Sequence, residues 1–189
     1  MKKTQKILNI LLTVSALLLS LAAAASMTSC SSRKANQDVA PHDIVDKAVS
    51  TLGIKDADIS AQYYSEGGAD NVYDDAMLKI MFPPSGTTDY TTSLFDKYAL
   101  IQIDTTKPVM FEIGVFKMPE GDTNAINTVK TMCTERIAKV KSEIFGYNQA
   151  MAYLADNATA VVFDNYVYYV IADNSSKAYD AIKSELTAK

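Results

Sequence analysis

Tryptophan is absent from this chain, histidine occurs once and cysteine twice. A catalytic triad built on histidine would depend wholly on His42, and no G-x-S-x-G elbow accompanies it. His42 falls in the first turn of the first expected helix, where a solvated surface position is its natural reading. Histidine and cysteine together are too few for a zinc site, which takes three or four such ligands or carboxylates. No metal and no cofactor is therefore expected. The seven glycines include no Gly-Lys-Ser/Thr core, so Pro83-Pro84-Ser85-Gly86-Thr87-Thr88 is a chain breaker and not a phosphate loop. Basic residues are also scarce where they would matter. Lys2, Lys3 and Lys6 lie in the first 29 residues, which hold no acid. Without them the 18 basic residues fall to 15, against 22 acidic ones, a net charge near −7. Such a chain has no electrostatic means of neutralising phosphates, and nucleic acid is excluded as a partner.

Long apolar runs are limited to one, and it stands at the start. Behind the basic Lys2, Lys3 and Lys6, Ile7 to Ala25 is interrupted only by Asn9, Thr13, Ser15 and Ser20. About 20 apolar residues can cross a bilayer. This run instead decays into Ala22-Ala23-Ala24-Ala25-Ser26, with only Arg33-Lys34 as a following basic pair, which is the pattern of a cleaved signal peptide. Met27-Thr28-Ser29-Cys30 then resembles the bacterial lipobox, with Met27 where Leu is usual. The resemblance implies a diacylglycerol on the Cys30 sulfur and cleavage before Cys30 that frees its amino group, palmitate being a typical chain. Two acyl chains hold far more firmly than one. The alternative is cleavage after Ala25 and free secretion. Residues 1–29 thus read as a lipoprotein signal peptide. Residues 30–40 read as the lipidated cysteine and a flexible tether, reaching roughly 15–20 Å. Residues 41–189 read as one globular domain. The expected location is extracytoplasmic, lipid-anchored in the cell membrane, with the membrane engaged through Cys30 because the acidic domain has no charge attraction to it.

Within the domain, Ile44, Val45, Ala48, Val49 and Leu52 recur at helical spacing between Pro41 and Gly53. Ile59 to Tyr64 alternate as a strand, and Met77 to Phe82 read as another. Tyr98 to Asp104 and Val109 to Met118 flank Thr105-Thr106-Lys107-Pro108 as an antiparallel hairpin. Val109, Phe111, Ile113 and Val115 share one face, and Met110, Glu112, Gly114 and Phe116 the other. A long helix starts near Asp122 or Thr123 and ends at Gly146, with the stripe Ile126, Val129, Cys133, Ile137, Val140 and Ile144 and a Glu135–Lys139 pair on its wet side. A short helix from about Asn148 to Leu154 follows. Thr159 to Phe163 and Tyr166 to Ala172 form a second hairpin about Asp164-Asn165, apolar on both faces and so central in the sheet. A last helix, capped by Asn174 or Ser175, buries Ala178, Tyr179, Ile182 and Leu186. Hairpins interspersed with helices predict an α+β domain of two layers, an antiparallel sheet built from hairpins and covered by helices.

From about Ser93 to Leu186 several short motifs keep a common order: Glu112-Ile113-Gly114-Val115-Phe116-Lys117, the acidic loop at Glu120 and Asp122, Arg136 on the long helix, Tyr147, and Asn165-Tyr166-Val167. In this order they resemble an uncharacterised lipoprotein family of Gram-positive anaerobes, domain of unknown function 4358. The resemblance implies a lipoprotein setting and a similar domain, and it brings no activity and no functional residues. Two departures stand out: Gly114 replaces the alanine usual in that family, and the loop after Tyr147 differs.

Candidate chemistry is sparse. Cys133 lies in an apolar stripe and reads as a buried, unreactive thiol, without a partner if Cys30 is lipidated. Asp70, Asn71, Asp74 and Asp75 miss the calcium-loop spacing and read as a solvated acidic loop. Glu112 is positioned to pair with Arg136 or Lys117, or to serve as the acid of an envelope hydrolase if a second carboxylate converges on it. Tyr166 and Tyr168 share one face of the final hairpin, a candidate aromatic platform for a glycan or an envelope protein. A two-lobed solute receptor needs more chain than this. The expected function is a non-catalytic binding or interaction module at the cell envelope. The alternative is a hydrolase using carboxylates such as Glu112.

Overall fold

The computed structural model describes residues 34–66, 72–84, 86, 89–102, 111–145 and 149–188. The signal peptide, Cys30, the 105–108 turn, Asp70, Asn71, the Ile144 side chain, Gly146 and Tyr147 lie outside the described residues.

Helix α1 covers Pro41–Leu52, with Pro in its first turn and Gly53 ending it at φ 69°, a left-handed conformation that glycine adopts freely. Strand β1 is Ala61–Tyr64. Helix α2 spans Asp75–Met81, which corrects the expected strand at 77–82. The Asp74 carboxylate accepts from the Met77 amide at 2.7 Å and caps this helix, and such a cap commits the backbone to helical turns. Strands β2 (Lys97–Gln102) and β3 (Glu112–Lys117) form the expected antiparallel hairpin. Helix α3 is Thr123–Phe145, with Asp122 accepting from the Ala125 amide at 2.9 Å. Helix α4 is Gln149–Asp156, strands β4 and β5 are Val161–Phe163 and Tyr166–Ile171, and helix α5 is Ser175–Thr187.

The domain is α+β. Its five strands are antiparallel in the order β1-β2-β3-β5-β4, built on the two hairpins. The last hairpin is central only through β5, because β4 forms an edge. Helices pack on the sheet as expected and do so on both faces, so one sheet serves two helix-on-sheet cores. Alternation decides the division. Ala99, Ile113, Val115, Tyr166, Tyr168 and Val170 meet Ile44, Val45 and Ala48 of α1 and Ala178, Ile182 and Leu186 of α5. On the other face Tyr98, Leu100, Phe116, Val167, Tyr169 and Ile171 meet Val129, Met132, Cys133 and Val140 of α3, with Leu78 of α2 and Leu154 of α4. Every residue of β5 is buried, as two covered faces require. Lys139 pairs with Glu143 at 3.6 Å and donates to the Ile80 carbonyl, while Glu135 accepts from the Tyr90 hydroxyl at 2.6 Å.

The largest correction concerns the tether. Its described part, residues 34–40, is folded onto the domain. The Ala35 amide donates to Asp164 at 2.9 Å and the Asn36 amide to the Leu186 carbonyl at 2.8 Å. Gln37 and Asn165 exchange amide hydrogen bonds, and Lys117 donates to the Gln37 carbonyl at 2.6 Å. The Tyr166 hydroxyl donates to the Val39 carbonyl at 2.9 Å, and Ala35 itself is buried. These polar residues carry no periodicity because their partners are backbone groups and turn side chains, not a helix or strand face. Asn165, 2 % exposed, also donates to the Met118 carbonyl. Asn165→Ala therefore strands buried partners and is expected to lower stability by about 1–3 kcal/mol in urea unfolding. A loss under about 0.5 kcal/mol would show that the strap is only loosely held.

Candidate functional site

The residues singled out by type do not gather into one place. Tyr166 and Tyr168 are 0 % and 3 % exposed, covered by the 34–40 strap, α1 and α5. The expected surface platform is thus replaced by core packing. Alternation put both rings on one face correctly, but that face is not open. Burial also pushes the Tyr166 hydroxyl up to about 12.

Glu112 is 3 % exposed and engaged on both oxygens. Arg136 donates to it through Nε at 2.8 Å and Nη2 at 2.7 Å, and the Tyr169 hydroxyl donates at 2.5 Å. Burial opposes the Arg136 charge, but the bond and the charge of Glu112 hold its pKa above the usual arginine value. Glu112 does not line the cleft beside Tyr153 or the small one beside His42. Buried and bonded on both oxygens, the carboxylate is out of a substrate's reach in this arrangement, against its expected role as a hydrolytic acid. Cys133 is fully buried, and burial, aided by Glu112, raises its thiol well above the usual range. It is unreactive by the rule that the thiolate is the nucleophile.

His42 is half-buried, its ring stacked on Tyr64 at 4.4 Å and its Nε2 2.9 Å from the Gln62 amide. Asp74 caps α2, and Asp75 accepts from the amide and hydroxyl of Thr92 at 2.8 Å each. Among the described residues no three His, Cys, Asp or Glu side chains converge as metal ligands.

A cleft among the described residues has room for a ligand. It opens where the C-terminal end of α4 meets the loop between β5 and α5, and its volume is about 450 Å³, within the usual range of small-molecule sites. Tyr153 and Asn157 come from α4 and the residue beyond it, and Thr159 from the approach to β4. Asp173 and Asn174 come from the loop that leads into α5, and Ser176 from its first turn. Asn174 stands at φ 55°, a left-handed conformation that asparagine tolerates, and this turns the chain sharply from β5 into α5. Tyr179 fixes the two sides together: its hydroxyl accepts from the Thr159 and Val170 amides at 3.0 and 3.1 Å and donates to the Thr159 carbonyl at 2.7 Å. Removing that hydroxyl in Tyr179→Phe leaves two backbone N–H groups without it. It is expected to cost about 1–3 kcal/mol and to loosen the cleft, seen as faster amide exchange at Thr159 and Val170. Unchanged exchange at both would contradict this.

The chemistry of the lining is specific in kind. Tyr153 is 49 % exposed and presents its ring to solvent beside amide, hydroxyl and carboxylate groups. Among the described lining residues Asp173 alone is formally charged. Among the described lining residues there is no second carboxylate for glycoside cleavage and no imidazole or thiol for acyl transfer. The arrangement can bind and orient a polar ligand. Reading by residue type overlooked this site, since its members are scattered over the end of α4, the start of α5 and the loops beside them.

No family model, curated protein or solved structure matches this chain. Among the described residues no helix is long and apolar enough to cross a membrane.

Proposed function

We propose that this protein is a lipid-anchored extracytoplasmic binding module, acylated at Cys30, whose cleft beside Tyr153 takes a hydroxyl- and amide-bearing saccharide of the cell envelope. The anchoring rests on the basic n-region, the apolar run and the Met27-Thr28-Ser29-Cys30 motif. It also agrees with the lipoprotein family that the chain resembles. The observation that carries the binding role is the cleft itself, where an exposed aromatic ring adjoins planar amide and carboxylate side chains. Sugar rings offer an apolar face to stack on such a ring, and hydroxyl edges to pair with Asn157, Asp173 and Ser176. Among the described lining residues one is a carboxylate and none is basic, which disfavours phosphorylated ligands.

The test is titration of the protein with N-acetylglucosamine oligomers, followed by amide chemical shifts. Shifts confined to residues 153–159 and 172–179 are expected. Tyr153→Ala should weaken binding about tenfold, about 1.4 kcal/mol, while leaving stability within about 0.5 kcal/mol because the ring is exposed. Saccharide binding that ignores both Tyr153→Ala and Asp173→Ala would place the ligand elsewhere and refute the cleft as its site.

A further inference from the structure

The strap and the cleft lie at opposite ends of the same hairpin. Residues 34–37 are fastened to the Asp164–Asn165 turn through Ala35 and Gln37, with Lys34 paired to Glu120 at 2.9 Å in the neighbouring turn. From that turn β5 runs from Tyr166 to Ile171, and the cleft begins at Ala172 and Asp173. From Asn165 to Ala172 the chain takes seven extended steps, about 24 Å at 3.4 Å per residue. The strap also ties into the end of β3 through Lys117 and into the end of α5 through Leu186. It is thus held by three elements at one end of the domain. Only residues 31–33 lie between Cys30 and the first fastened residue, Lys34. Four peptide steps span at most about 14 Å even when fully extended.

We propose that the end of the domain bearing Lys34, Glu120 and the Asp164–Asn165 turn is a membrane-apposed surface, so that the cleft beside Tyr153 is presented outward at the far end. This orientation rests on the reading of Cys30 as the acylated residue. Its partner is the lipid headgroup layer, reached through the short covalent leash. Charge does not hold it there, since Lys34 and Lys117 at that end are offset by Glu120, Asp122 and Asp164 and leave no basic excess for anionic lipid. The leash sets proximity and the strap sets direction. A freely jointed ten-residue tether would let the domain rotate and would leave the cleft without a preferred side. The folded strap removes most of that freedom and keeps the site turned toward ligands approaching from outside.

The test uses the full acylated chain in phosphatidylcholine vesicles that carry a nitroxide quencher on a fraction of their headgroups. A fluorophore is placed by Asn124→Cys, exposed in the first turn of α3 near the strap end, or by Lys177→Cys, exposed beside the cleft. The buried Cys133 thiol stays silent to the labelling reagent. Severalfold stronger quenching at 124 than at 177 is expected. Inserting twenty Gly-Ser residues between Arg33 and Lys34 should abolish the difference. Equal quenching at the two positions in an acylated chain overturns the orientation and leaves the anchoring intact. So does a difference that survives the insertion. Recovery of the chain without acyl groups overturns the anchoring and this orientation with it.

Discussion

Arg136→Ala is expected to destabilise the domain by about 3–5 kcal/mol, because it leaves the Glu112 carboxylate buried without its counter-charge. At 3 % exposure Glu112 has no access to water that could replace the two lost hydrogen bonds. The Tyr169 hydroxyl alone would remain as its donor. The Met81 carbonyl would lose the Arg136 Nη1 donor at 3.1 Å, loosening α2 against α3. Urea unfolding measures the loss directly, as a lower midpoint at unchanged slope. The triple variant Glu112→Leu, Arg136→Met, Tyr169→Phe removes every charge and hydroxyl in the cluster. It should unfold near the wild-type midpoint, or later, since a buried ion pair is compensated by well-packed apolar groups of similar volume. A single Arg136→Ala loss below 1 kcal/mol would mean that the pair is open to water.

Gly114→Ala is expected to cost about 1–3 kcal/mol, the usual penalty for overpacking a filled core. Gly114 stands opposite Tyr169 in the β3–β5 register, and the Tyr169 ring lies across the space where a side chain would begin. A Cβ there would come 2.5 Å from the ring edge and 3.1 Å from Phe116 Cε2. The ring cannot simply swing aside, because its hydroxyl is bonded to Glu112 and burial is complete on that face. Gly114→Ala combined with Tyr169→Leu should therefore cost less than the sum of the two single changes, since the smaller side chain makes room. Strict additivity would show that Gly114 and Tyr169 do not constrain each other.

Much of the fold follows local rules that can be read along the chain. Pro41 and Gly53 bracket α1, Asp122 starts α3, and the alternation of β3 assigns its two faces as observed. What escaped is what local pattern does not encode. Met77 to Phe82 is a short apolar run whose period is ambiguous, and only the Asp74 cap decides for helix. The 34–40 segment owes its order to Asp164, Asn165, Lys117 and Leu186, up to about 150 positions away in sequence, a tertiary effect that local reading cannot reach. Tyr166 and Tyr168 were correctly placed on a common face, yet their burial depends on α1, α5 and the strap meeting over them. The cleft is the extreme case. Asn157 and Asp173 are ordinary loop residues until the β4–β5 hairpin and the Tyr179 hydroxyl bring the two loops together.

Anchoring through Cys30 is the claim from which location, orientation and the role of the strap all follow. Intact-mass and N-terminal analysis of the protein extracted from bacterial membranes tests it most directly. The expected result is a mature chain beginning at Cys30, heavier than its sequence by a diacylglycerol with or without a third acyl group, and a Cys30→Ala variant that no longer matures this way. A soluble, unacylated chain beginning at Ser26, or one retaining the first 29 residues without lipid, would contradict it.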